Sequence, residues 1–415
     1  MLIVTLFVGL VFAYSLVSRR LESTVLTAPL IFTAAGAALH LLPGIEAELF
    51  VDRAAFLVIA EAGLVMTLFT DASRIRRNAL KGDRNLPARL LSTGMLLTIV
   101  LGTVAAMTCF SSLTWWEAGI IAAILAPTDA GLGQVIVSSP KVPARIRQAL
   151  NVEAGLNDGL SVPFLMLFIA LAVTADQPAS AVLGRFLLEQ LGYGVAIGVT
   201  IGLGGGWLIG VAGRKQWMLP ALAQLGVVAL PLLCMIASEE SGASMFIAAF
   251  VAGLAVQIGF PQVARHSVEF TEEWGQLFNY FVFFLFGFFV ARAMPDFTAE
   301  VSLYAVLSLT AVRMLPVAIA LAGTRLARTT VLFMGWFGPR GLASIVLGLV
   351  YLEQQARLPG EETIRLAVMA TVLLSIVAHG ISAMPGIDRY AHNVSRLPPD
   401  APEHAATEAP ATKTS

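Results

Sequence analysis

Seven ionisable residues stand inside long apolar stretches of the chain: Glu61, Asp129, Glu153, Asp158, Arg313, Arg340 and His379. At membrane depth each such charge costs at least ~2.5–3.5 kcal/mol on insertion scales. Residues of this kind therefore face a polar cavity or one another, and they default to function. A carboxylate in a narrow aqueous cavity binds either a proton or a hard monovalent cation, and binding one displaces the other. His379 is read as structural, with a pH-sensing role as the alternative.

Three motifs hold most of these residues. The densest is Asn151-Val152-Glu153-Ala154-Gly155-Leu156-Asn157-Asp158-Gly159. Glu153 and Asn157 are four apart and share a helix face. Asp158 falls roughly 140° round the helix from Glu153, so the two carboxylates serve different partners. Gly155 and Gly159 let another helix approach closely. Nothing near in sequence neutralises Asp158, whereas a buried arginine elsewhere is available to Glu153. The second motif is Ala126-Pro127-Thr128-Asp129-Ala130-Gly131-Leu132-Gly133. Its proline removes a backbone donor and its glycines loosen the helix, which frees carbonyls and half-helix ends to meet an ion. Thr128 offers a hydroxyl or carbonyl. Asp129 balances a positive half-helix end or caps a helix segment. The third is Gly335-Trp336-Phe337-Gly338-Pro339-Arg340-Gly341, again interrupted and now cationic. Arg340 stays charged and needs a carboxylate, for which Glu153 is the expected partner. Arg313 reads as a structural partner or helix-end residue. Glu61, in Ala60-Glu61-Ala62-Gly63, is balanced between a functional and a structural reading.

The elements that must position these residues are membrane helices. The chain is 57% hydrophobic and only 13% charged, about half the charge of a soluble domain. Its apolar residues come in blocks of ~20, which predicts an all-α integral membrane protein. About thirteen transmembrane helices are expected, near 2–18, 24–42, 55–71, 90–110, 115–137, 148–174, 187–212, 217–237, 242–259, 272–291, 301–323, 329–353 and 366–384. With the N-terminus outside, nineteen of the 26 Lys and Arg residues fall in odd loops and the tail and five in even loops, leaving Arg313 and Arg340 inside spans. The positive-inside rule then puts the odd loops and the C-terminus in the cytoplasm. Met1–Ser18 lacks a basic leader region and reads as a retained first helix. Residues 1–387 form a single membrane domain, and 388–415, rich in Pro, Ala, Thr and Glu, reads as a short disordered cytoplasmic tail. Cys109 and Cys234 read as apolar fillers rather than a disulfide or metal pair. A net charge of −1 argues against nucleic acid as a partner. Two broken spans in separate halves point to an inverted-repeat transporter with a mid-membrane site. A channel would need a pore loop or ring-forming filter, and an intramembrane enzyme a nucleophile with a base or paired metal ligands. The sequence displays neither.

Taken together the motifs resemble those of the NhaP/NHE-type monovalent cation:proton antiporters, over nearly the whole membrane region. Glu153 through Asn157-Asp158-Gly159 matches the family signature, and Pro127-Thr128-Asp129 its unwound helix. Phe337-Gly338-Pro339-Arg340-Gly341 resembles its late Gly-x-Arg-Gly element. Ala60-Glu61-Ala62-Gly63 with Leu68-Phe69-Thr70-Asp71 looks like its third-helix acidic segment. The resemblance implies an inverted-repeat fold with two unwound crossing helices, a six-helix core and a dimerisation bundle, in a homodimer of the cell inner membrane that serves pH homeostasis. It implies Asp158 as the shared cation and proton site, Thr128 as an ion ligand with Asn157, Asp129 and Glu61 in attendance, and Glu153 paired with Arg340. No cofactor is implied. Because Asn157 beside it is uncharged, Asp158 would be the one free acid, and exchange would be electroneutral. The resemblance implies sodium as the cation, with potassium or lithium as alternatives because the likeness departs at Ala154, where many relatives carry a sodium-holding serine.

Overall fold

A computed structural model describes residues 2–21, 24–41, 53–74, 85–174, 184, 187–260, 266–353 and 358–404. Among these the chain is helical throughout. In order run α1 (Leu2–Leu21), α2 (Ala28–Leu39), α3 (Arg53–Arg74), α4 (Asn85–Cys109), α5 (Trp115–Ile124), α6 (Ala130–Ser138), α7 (Ala144–Val173) and α8 (Tyr193–Arg214). They are followed by α9 (Pro220–Ser241), α10 (Met245–Gly259), α11 (His266–Ala293), α12 (Ala299–Ala320), α13 (Arg328–Trp336), α14 (Leu342–Glu353) and α15 (Glu361–Val394). Eight of the described helices are long and apolar enough to cross a membrane, and four more are apolar but shorter. This is a multi-pass membrane protein. The helical bias follows from lipid itself, which offers no hydrogen bonds, so each span must satisfy its backbone internally. Of the basic loop residues counted above, Arg76, Arg77, Lys81, Arg84, Arg185, Arg265, Arg357 and Lys413 lie outside the described residues.

Lipid also removes the hydrophobic drive for helices to associate, so close backbone approach must do that work. Glycines supply it. Along α8, Gly198, Gly202 and Gly206 are four apart and face α10, where an added Cβ would overlap the carbonyls of Ala248 and Ala252 and stand 2.7 Å from that of Val256. The same device joins α2 to α11, where Gly36 meets the Phe284 carbonyl and Gly287 that of Thr33. α3 packs on α10 and α11 and also touches α7 and α14, so it links this glycine-rich group to the part of the molecule that carries the motifs.

Two apolar stretches are interrupted. Leu125 to Asp129 separates α5 from α6, and Phe337 to Gly341 separates α13 from α14. Their outer ends are anchored. At the start of α5, Thr114 and Glu117 cap each other reciprocally. The second Glu117 oxygen accepts the Gly360 N–H at 2.8 Å, so the start of α15 is pinned to the start of α5.

The far end of α15 corrects the expected disorder of 388–415 over its described part, residues 388–404. The helix continues to Val394, Leu397 packs on an apolar cluster, and a last turn covers Pro402–His404. Glu403 is 1% exposed. It accepts the Ala327 N–H at 2.7 Å and the Thr330 hydroxyl at 2.8 Å. Arg145 of α7 donates to the Pro402 carbonyl at 2.6 Å. Ala327 occupies the cap position of α13 and has no side chain to serve it. A carboxylate arriving from far along the chain meets the free N–H groups and positive dipole of that helix end. Composition, on which the disorder reading rested, carries no information about such a remote partner. Residues 405–415 lie outside the described residues. Glu403→Ala is expected to destabilise the protein by about 1 kcal/mol, the usual worth of a helix cap. A lowered melting temperature in detergent would register it. Glu362→Ala, which removes an exposed pair with Arg365, is expected to leave melting unchanged.

Candidate ion-binding site

The two interruptions touch. The Asp129 backbone N–H donates to the Pro339 carbonyl at 2.7 Å. Its carboxylate reaches both ways: Oδ1 accepts the Leu132 N–H at 2.7 Å, and Oδ2 accepts the Leu342 N–H at 2.5 Å. One acid thus serves the positive N-terminal ends of α6 and α14 together. Gly341 makes this possible, because a Cβ there would overlap Asp129 Oδ2. The carbonyl end of α5 is served in the opposite sense. Arg340 Nη1 donates to the Ala126 and Pro127 carbonyls, both at 3.1 Å, and Ser344 donates to the Ile124 carbonyl at 2.8 Å. Arg340 is fully buried.

Past this junction runs α7 with the densest motif. Asn157 Nδ2 donates to the Thr128 hydroxyl at 2.7 Å. Asp158 is buried, and its Oδ1 and Asn157 Oδ1 have no hydrogen-bond partner among the described residues. A buried polar atom without a partner costs about 1–3 kcal/mol, so two oxygens left open beside a hydroxyl mark a place for a proton or cation. The carboxylates whose charge bears on Asp158 are Asp129 and Asp71. Asp71 comes from α3 and lies against Gly155, where an added Cβ would stand 3.4 Å from the Asp71 Cβ. A small cavity of about 20 Å³ lies against the first break and α7, lined among others by Thr128, Asp129, Glu153, Ala154 and Pro339. It has room for roughly one water-sized body.

The expected pairing of Glu153 with Arg340 is corrected. Glu153 Oε1 accepts from Arg313 Nη1 at 2.6 Å, and both side chains are 3% exposed. Gly338 gives Arg313 its place, since a Cβ there would run into the guanidinium. Arg340 is instead turned toward the carbonyls of the first break, although its charge and those of Arg313 and Glu153 still act on one another. Both oxygens of Asp129 accept from helix ends, as its expected role at a positive half-helix end requires. Glu61 is buried on α3.

A family model described as sodium/hydrogen exchanger, transmembrane, matches residues 2–386. The chain belongs to that exchanger family. Among its relatives, the K(+)/H(+) antiporter NhaP2 of Shewanella baltica is 23% identical over 351 residues, spanning 80% of this chain and 57% of that protein. The Na(+)/H(+) antiporter ApNhaP of Aphanothece halophytica is 27% identical over 349 residues, 80% of this chain and 64% of that protein. NhaP2 of Shewanella sp. MR-4 is 26% identical over 255 residues, 61% of this chain and 42% of that protein. The chain thus spans about half the length of the curated relatives it matches. The solved sodium proton antiporter MjNhaP1 of Methanocaldococcus jannaschii superposes with a TM-score of 0.73 over 94% of this chain and 99% of that one, at 18% identity. The two share a fold.

The sequence marks Arg313 as a structural partner or helix-end residue but does not name its carboxylate, because the Arg-x-x-Pro setting gives no direction for the side chain. Ser344 and Glu117 carried no signal beyond an ordinary helical position. The buried Glu153–Arg313 pair leads to an expectation. Glu153→Gln leaves the buried Arg313 guanidinium without its carboxylate and should destabilise the fold by about 3–5 kcal/mol. Glu153→Leu combined with Arg313→Met removes both charges and should restore part of that loss. Denaturant unfolding of the purified exchanger tests the order of the two variants.

Proposed function

We propose that this exchanger is an electroneutral monovalent cation:proton antiporter in which cation and proton compete for Asp158. The observation that carries the reading is the buried Asp158 carboxylate with an oxygen left open. Beside it, Arg313 and Arg340 supply two positive charges, and Glu153 and Asp129 two negative ones. One cation at Asp158 then replaces one proton, with no net charge moved. Asn157, next in the chain and bonded to Thr128, offers a further hard oxygen, and the negative charge of Asp71 of α3 acting on Asp158 favours a cation over an anion. Taking each broken pair of helices as one interrupted crossing gives thirteen crossings, with the N-terminus outside and the C-terminus cytoplasmic. The two breaks are the unwound crossing segments of an inverted-repeat fold. Alternating access follows from rigid-body motion of the bundle that holds them against a scaffold bundle. The protein works as a homodimer in the cell inner membrane, in pH homeostasis.

Relatives named for sodium and for potassium stand on either side of this chain, so the cation is set by its own residues. Ala154 lines the cavity next to Thr128 and offers no oxygen to it. A hydroxyl there would add a ligand at short range and favour the smaller, more strongly held ion. Reconstitution in liposomes with a trapped pH dye tests both points. Asp158→Asn should abolish cation-driven proton movement, and exchange surviving in that variant would sink the proposal. Ala154→Ser should lower the half-saturating concentration of sodium or lithium relative to potassium; one well-placed ligand is worth about tenfold.

A further inference from the structure

The carbonyl end of α13 needs a partner as much as the other ends at the breaks do. Its last carbonyl, on Trp336, accepts the Gly338 N–H at 2.9 Å and lies 2.9 Å from His379 Nε2. His379 sits on α15 and is 3% exposed. Its other ring nitrogen, Nδ1, is 3.1 Å from the Ser375 hydroxyl oxygen and 2.9 Å from the Ser375 carbonyl, one helical turn back. Ser375 is fully buried, and its hydroxyl oxygen accepts the backbone N–H of Arg340 at 2.6 Å.

The Trp336 carbonyl can only accept, so Nε2 is the donor there. Nδ1 stands at hydrogen-bond distance from both the hydroxyl and the carbonyl of Ser375. Ser375 and His379 are thus tied to each other and form one chain of contacts. Ser375 Oγ accepts the Arg340 N–H at one edge of the Phe337–Gly341 break, and His379 holds the Trp336 carbonyl at the other. Trp336 is held from the same helix a second time, by its Nε1 donating to the Ser382 hydroxyl at 2.9 Å.

We propose that Ser375 and His379 are positioning residues for the exchange site: a clasp on α15 that fixes the distance across the second break and so the place of Arg340 over the Ala126 and Pro127 carbonyls. The proposal rests on the antiport reading for its consequence, though not for its geometry. The clasp acts through backbone, so neither residue touches the ion.

Two measurements on the full-length protein separate the claims. Hydrogen–deuterium exchange in lipid nanodiscs reads the clasp directly. Ser375→Ala and His379→Ala should each speed exchange in peptides covering 336–341 by about five- to tenfold, what one buried hydrogen bond is worth. Ser375→Thr keeps the hydroxyl and should keep the protection. The double variant should exchange no faster than either single one, because both break the same chain. In proteoliposomes with sodium or potassium chloride, the single variants should raise the half-saturating cation concentration about fivefold with a smaller change in maximal rate. Unchanged exchange at 336–341 in Ser375→Ala, or additive effects in the double variant, would overturn the clasp. So would loosening spread evenly over α15. Should His379→Ala fail to fold, Ser375→Ala, which deletes one oxygen, decides alone. An inactive wild type with intact protection at 336–341 would count against the antiport reading and for the clasp.

Discussion

A helix that stops inside an apolar medium leaves backbone N–H groups at one end and carbonyls at the other, with no water to take them. Two such interruptions, placed against each other, are the constraint on which the rest of this structure depends. Every helix end at the junction has a partner of the fitting sign. Asp129 faces the N-terminal ends of α6 and α14, Arg340 and Ser344 face the carbonyl end of α5, and His379 faces that of α13. A buried group left without such a partner costs about 1–3 kcal/mol. The glycine at 341 follows from this requirement, because the Asp129 carboxylate has to come as close to the backbone as hydrogen bonding demands.

Meeting the ends with charges creates a second problem, since each charge must itself be balanced away from water. Glu153 is the answer on the cationic side, bonded to Arg313 and within electrostatic reach of Arg340. Asp129 is balanced by the helix ends it holds. The arrangement leaves Asp158, on α7 next to Asn157, with an oxygen still open. The partners of the broken helices and the balance of the buried charges are in this sense one electrostatic solution.

Short half-helices also need anchoring away from the break, because a helix of nine or twelve residues such as α13 or α14 is marginal alone. Glu117 ties the start of α5 to the start of α15, and Glu403 ties the start of α13 to the chain beyond the end of α15. α15 thus holds the junction from its middle through Ser375 and His379, while the chain just before its start and just after its end holds the outer ends.

Much of this was written in local sequence. Apolar blocks of membrane length determined an all-helical membrane protein, because lipid admits few alternatives. Gly-Pro interruptions located both breaks, because proline and glycine act on the backbone where they stand. Asp158, Asn157, Thr128 and Asp129 were legible because a costly residue in an apolar run has to be accounted for. What sequence could not determine was which group meets which. Two buried arginines were equally able to serve Glu153, and only the path of the chain past Gly338 chose Arg313. Asp129 read as the partner of one half-helix end, and only the arrival of α14 at its second oxygen showed that it serves two. The end of the chain looked disordered by composition until Glu403 met a helix end 76 residues earlier. Hydrogen bonds and ion pairs act over about 3 Å between groups far apart in the chain, so the sequence supplies their members and tertiary structure alone decides their partners.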